Sequence, residues 1–176
     1  KQTEEKLAAA QKARAEGKGR GLSTGFADLD RMLSGLRPGQ LIVIAARPGE
    51  GKTTLAGCIA EHVAVEIGQP VLFFSLEMTA EELVDRFASS LSGVPLSAIL
   101  AGDVTDSRLL PAVERLRAAP LHIDDTPALH VAQIRARALR AKRRHGLGLV
   151  IVDYLQLVRA KAERRHEEVA AVSREI

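Results

Sequence analysis

The stretch Leu41 to Thr54, LIVIAARPGEGKTT, constrains the fold more than any other part of the chain. An apolar, β-branched run leads into a tight glycine-bearing turn, and Lys-Thr-Thr then opens a segment with apolar residues at helical spacing, Leu55, Ile59, Val63 and Ile67. Strand, turn and helix in that order are the setting of a phosphate-binding loop. Gly49 and Gly51 allow the backbone to curl with its N–H groups inward. With the positive end of the following helix, those donors cradle a polyphosphate. Lys52 then reaches the β- and γ-phosphates as a point charge, and the Thr53 hydroxyl coordinates a bridging Mg²⁺. Ala46 stands where the pattern G-x-x-x-x-G-K-[ST] has its first glycine, a change that is tolerable at negative φ. The candidate nucleotide-binding residues are therefore Ala46, Arg47, Pro48, Gly49, Glu50, Gly51, Lys52, Thr53 and Thr54.

With 176 residues the chain fits one domain large enough for a core. Aromatic residues make up 3% and Trp is absent, so the interior must be aliphatic, which suits an α/β protein. A formal charge of +3 does not by itself announce nucleic acid. Cys58, the sole cysteine, excludes an internal disulfide and a Cys-rich metal site, and reads as a buried structural thiol. No apolar run approaches the length of a membrane span and no signal-peptide pattern opens the chain, so the expected setting is soluble and cytoplasmic.

Residues 1–16 are rich in Ala, Lys, Glu and Gln with Leu7 as the one large apolar side chain, which predicts a linker helix that needs a partner. Gly17, Gly19 and Gly21 break it, giving a linker with a glycine-rich connection over 1–20 and a compact core over 21–176. A short helix is expected over Asp28–Leu33, and a first strand over Leu41–Ala45. A second buried strand is expected over Val71–Leu76, then a helix from Thr79, whose capping box with Glu82 carries it to about Leu91. Helices over Thr105–Ala118 and Leu129–His145 flank a short strand at Leu121–Ile123. The second of these helices has Val131, Ile134 and Leu139 as its inward face and Arg135, Arg137, Arg140, Lys142, Arg143 and Arg144 turned elsewhere. A solvated face is the simpler reading of that basic run, with a nucleic-acid contact as the other. Leu149–Val152 is the next buried strand, closed by Asp153. This rhythm implies βαβ units, hence a mostly parallel sheet with helices on both faces and a ligand at the strands' carboxyl ends.

Three acidic positions fall at those ends: Glu77, Asp124 or Asp125, and Asp153. Phosphoryl transfer to water needs charge neutralisation, a metal and a group that orients the water. Asp153, emerging from GLVIV, suits the Mg²⁺ in the Walker B manner. Glu77, in FSLEM, suits the water as general base beside Lys52. Asp124 and Asp125 precede Thr126-Pro127, where a turn or helix-start role fits better.

Thr24-Gly25-Phe26 with Asp28-Leu29-Asp30, then AARPGEGKTT, FSLEM, IDDTP and VIVDYLQLV, in that order, resemble the motor domain of DnaB-type replicative helicases from about Gly21 to the last residue. SLEM followed by DYLQL behind such a loop is the most specific part. The resemblance implies a RecA-like P-loop NTPase working as a ring-shaped homo-hexamer. Such a motor hydrolyses ATP with Mg²⁺, moves 5′ to 3′ on single-stranded DNA and unwinds duplex. It also implies catalytic roles for Glu77 and Lys52, metal binding by Thr53 and Asp153, and a coupling role toward DNA for Gln156; the basic Arg164 and Arg165 are further candidates for DNA contact by their charge. The linker helix would dock on a neighbouring subunit, and a helicase loader and primase are implied partners. Where the family has Glu-Asn-Arg after DYLQL, this chain has Glu163-Arg164-Arg165. It ends at Ile176, before the family's later strands and the Lys/Arg fingers, so a fragment is expected that binds nucleotide, hydrolyses it weakly and carries an exposed sheet edge. A recombinase-like or clock-type RecA ATPase, and a nucleotide-switched interaction module that does not hydrolyse, are the competing readings.

Overall fold

The computed structural model describes residues 21–47, 49–102 and 105–153. The linker over 1–20, Pro48, and Gln156, Arg164 and Arg165 lie outside the described residues. Two compact units divide between Val43 and Ile44.

In the first unit, Leu22 and Leu36 form an antiparallel bridge around helix α1 (Ala27–Leu33). Asp30 gathers the entry to this helix: its carboxylate accepts from the Thr24 hydroxyl at 2.7 Å, the Thr24 N–H at 2.8 Å and the Ser23 hydroxyl at 2.6 Å. Thr24 is fully buried by this arrangement. The expected strand at Leu41–Ala45 does not form. The unit boundary falls inside this run, and Leu41, Val43 and Ile44 are 44%, 57% and 37% exposed. Local β-propensity makes a backbone extended, but only a neighbour's hydrogen bonds make it a strand, and among the described residues none pairs with it.

The second unit is built on a three-stranded parallel sheet of β1 (Val71–Ser75), β2 (Leu121–Asp124) and β3 (Leu149–Asp153), in the order β2-β1-β3. The register sets Val71 opposite Leu121 and Leu149, and Ser75 opposite Asp153, so β1 and β3 end together. Every residue of β1 is buried, as a central strand covered on both faces must be. On one face Leu72, Phe74 and Leu76 pack with Leu129, Val131 and Ile134 of helix α6 (Val131–His145) and its approach. Alternation sends Val71 and Phe73 to the other face. There α2 (Lys52–Glu61), which contacts β3, packs on α3 (Ala80–Ser92), and α3 packs in turn on α5 (Leu109–Ala118).

The Thr79–Glu82 capping box is present with both of its hydrogen bonds. Other boundaries shift for identifiable reasons. A π-helical turn, His62–Glu66, follows α2; its extra residue rotates Ile67 off the buried face that Ile59 and Val63 share. α5 starts four residues later than expected because the Asp106 carboxylate takes the Arg108 N–H and guanidinium at 2.9 Å, forming a turn in place of a first helical turn. A short helix α4 (Leu96–Leu100), not foreseen, opens behind Pro95. In α6 the inward stripe runs through Val131, Ile134, Ala138 and Ala141, and Leu139 is 47% exposed. The spacing that buries the alanines turns Leu139 outward, so the side chain expected to line the core does not.

Candidate functional site

The glycine-bearing loop and the strand ends meet at one side of the sheet. Gly49 and Gly51 have φ of 83° and 81°, in the left-handed region that glycine enters freely. A Cβ at either would meet no atom within 4 Å, so backbone conformation rather than crowding requires them, and the loop surface is open. The Glu50 N–H donates to the Arg47 carbonyl at 3.2 Å, closing the turn, and Ala46, Arg47 and Glu50 are exposed. Gly51 then caps α2, whose first turn holds Lys52, Thr53 and Thr54 and carries no acidic residue. No side-chain cap or first-turn carboxylate of the helix's own offsets its positive end.

Asp153 ends β3 with its side chain 5% exposed, and the Lys52 ammonium stands 3.8 Å from its Oδ1. A carboxylate this buried needs a cation. At that distance the pair is electrostatic rather than tightly hydrogen-bonded. Thr53, partly buried in the same turn, adds a hydroxyl. One carboxylate and one hydroxyl, with phosphate oxygens and water to complete the shell, is the donor set Mg²⁺ takes beside a nucleotide. Cages of three or more His, Cys, Asp or Glu side chains are absent among the described residues.

Glu77 lies in a bend, Leu76–Met78, directly beyond β1. The Leu76 N–H donates to the Asp153 carbonyl at 2.8 Å, so the bend starts beside the buried acid. The Glu77 side chain is exposed and makes no hydrogen bond or ion pair among the described residues.

Asp124 and Asp125 have structural partners, as their Thr-Pro context suggested, but Asp125 starts a different helix from the one that follows it. Its carboxylate accepts the N–H of Ala80, the first residue of α3, at 2.9 Å. Asp124 accepts from the Thr126 N–H at 3.2 Å and from Arg137 at 2.7 and 2.6 Å; the same guanidinium reaches the Thr126 hydroxyl at 2.7 Å. Arg137, expected among the basic residues turned elsewhere, is therefore committed to the end of β2. Sequence spacing offers no sign of this pairing, because it depends on where β2 ends relative to the second turn of α6. Burial raises the Asp124 carboxyl, but the Arg137 and Thr126 hydrogen bonds outweigh it and hold the group below the usual value.

A depressed carboxyl contributes stability above its unfolded value, about 3.9, and loses it as pH falls through the folded value. Arg137→Met should therefore destabilise the protein by about 1.5–3 kcal/mol at neutral pH. Urea unfolding of parent and variant should converge in strong acid; a gap that persists there would show that packing, not charge, is what the substitution removes. Cys58 is partly buried; burial and the neighbouring Glu61 carboxylate raise its thiol, which keeps it protonated and unreactive.

A profile of the DnaB-like helicase C-terminal domain matches residues 21–176. The replicative DNA helicase DnaC of Bacillus subtilis is 40% identical over 162 residues, 89% of this chain and 36% of the relative. The replicative DNA helicase DnaB of Pasteurella multocida is 43% identical over 164 residues, 89% of this chain and 35% of the relative. The chain thus spans about a third of the length of the curated relatives it matches. Among solved structures, a DnaB-like replicative helicase, described with its interactions with primase, superposes with a TM-score of 0.85 at 29% identity over 97% of this chain and 43% of the other. A second solved structure, of an ATPase domain, gives 0.85 at 27% identity over 98% of this chain and 64% of the other.

Proposed function

This chain belongs to the DnaB-like helicase C-terminal domain family, and from that premise we propose that it is the motor of a replicative DNA helicase. It couples hydrolysis of Mg·ATP to 5′–3′ movement on single-stranded DNA and to duplex unwinding. The observation that carries this reading is the Lys52–Asp153 pair at 3.8 Å, set at the head of an open glycine loop.

Bound Mg·ATP supplies the phosphoanhydride to be cleaved and the divalent charge beside it. Ala46 to Thr54 hold the phosphates through backbone N–H groups, and Lys52 neutralises their charge. Thr53 and Asp153 hold the metal. Glu77, exposed beyond the end of β1 and unpaired among the described residues, orients a water and accepts its proton. Residues 21–176 form this ATPase core. Residues 1–20 link it to a neighbouring copy in a homo-hexamer, and Gln156, Arg164 and Arg165 pass nucleotide state to the DNA. A loader and primase are the protein partners that the reading implies.

The test is ATP turnover by the intact protein with and without single-stranded DNA. Turnover should require Mg²⁺ and rise with DNA of any sequence, and the stimulation should fade steeply between about 50 and 200 mM salt. Tight nucleotide binding with no DNA-stimulated turnover would favour an interaction module instead.

A further inference from the structure

The bend that carries Glu77 is held at more points than its length requires. Before it, the Leu76 N–H is bound to the Asp153 carbonyl at 2.8 Å. Across it, the buried Ser75 hydroxyl donates to the Met78 carbonyl at 2.6 Å. After it, Thr79 and Glu82 close their capping box. Asp125 then arrives from the end of β2, 45 residues away, to accept the Ala80 N–H at 2.9 Å. The capping box pairs only the N–H groups of Glu82 and Thr79, so Asp125 supplies the acceptor for the Ala80 N–H and in doing so ties the end of the bend to the end of β2. Asp125 is itself anchored, since the preceding Asp124 is locked by Arg137 and Thr126. Backbone fixed on all sides, with one carboxylate left unengaged among the described residues, is the arrangement of a residue aimed at something outside the chain.

We propose that Asp125 is a positioning residue for Glu77: its bond to Ala80, with the Ser75 bond to Met78, sets the bend from which the Glu77 carboxylate acts. This rests on the reading of Glu77 as the group that activates water. The Asp125 carboxylate is spent on the Ala80 N–H, so its effect should fall on turnover and not on binding.

The intact protein is compared with Asp125→Ala, Asp125→Asn, Glu77→Gln and the Ala/Gln double variant, by kcat for ATP, Kd for a fluorescent ATP analogue and melting temperature. A misplacement of about 1 Å can cost up to about 100-fold in rate, so Asp125→Ala should lose about 10-fold or more in kcat with Kd within about twofold of the parent. Asp125→Asn, which keeps an acceptor oxygen, should remain within about threefold. In the Glu77→Gln background, Asp125→Ala should cost nothing further, because the group it positions is gone. Parental kcat in Asp125→Ala, an equal loss in both backgrounds, or parallel loss of kcat, Kd and melting temperature would each overturn the proposal. Should Glu77→Gln turn over like the parent, the reading of Glu77 falls and the proposal with it. A slow Glu77→Gln beside an unimpaired Asp125→Ala removes the proposal alone.

Discussion

Lys52→Ala should raise the Kd for Mg·ATP by about 10- to 100-fold, the loss expected when a charge-assisted bond worth about 1.5–3 kcal/mol is removed from a phosphate site. The effect should extend to the free protein. The Asp153 side chain, 5% exposed, has the Lys52 ammonium 3.8 Å away, and the alanine leaves that carboxylate without its neighbouring cation. Breaking a fully buried pair costs about 3–5 kcal/mol; Lys52 is 27% exposed, so the cost here should fall below that range. Because the stranded carboxylate then recruits a cation from solution, Mg²⁺ without nucleotide should raise the melting temperature of Lys52→Ala more than that of the parent. Lys52→Arg should not restore affinity: a planar guanidinium cannot replace a compact ammonium in a cradle shaped by backbone donors. Titration of a fluorescent ATP analogue, with melts in Mg²⁺ alone, checks both parts. Unchanged affinity in Lys52→Ala would place the nucleotide elsewhere on the molecule.

What could be read in advance depended on how local its cause is. The capping box at Thr79 and the left-handed backbone of Gly49 and Gly51 are set within a few residues, and both are present in the structure. Continuous apolar runs marked β1 and β3, and because a parallel sheet aligns strand ends, Asp153 and the Glu77 bend could be assigned to the carboxyl end of the sheet from the sequence. Leu41–Ala45 carries the same apolar signal as β1, yet is largely exposed and finds no strand partner among the described residues, because pairing belongs to two segments and not one. Contacts between distant segments were likewise illegible. The Arg137–Asp124 clamp, the Asp125 bond to Ala80 and the Ser75 bond to Met78 follow from the β2-β1-β3 order and from the bend's geometry, neither of which has a residue signature. The residues of the candidate site were therefore visible as types and spacings, while the contacts that hold their strand ends and bend in place were not.

That scaffold makes a core substitution a test of the site. Phe74, fully buried near the carboxyl end of the central strand, packs among Leu72, Leu76, Leu129, Val131 and Ile134. Phe74→Ala should cost about 3–5 kcal/mol, from lost transfer energy and the cavity left by a ring whose neighbours are themselves held by helix and sheet. Against a typical stability of about 5–15 kcal/mol, urea unfolding should shift far toward low denaturant. Leu139→Ala, on the same helix as Val131 and Ile134 but 47% exposed, should change stability by less than about 0.5 kcal/mol. Phe74 is also paired in register with Asp124 and Val152, each one residue from a site element at its strand's end: Asp125 and Asp153. Relaxation around the cavity is therefore transmitted along three strand ends at once, and turnover should fall at denaturant concentrations where the variant is still folded. Mg·ATP at about 100 times its Kd should return about 2.7 kcal/mol, since it binds the folded chain alone. If the Phe74→Ala variant unfolds where the parent does, the sheet face under α6 is not the core that supports the nucleotide site, and the load must lie on the opposite face, with Phe73 and α2.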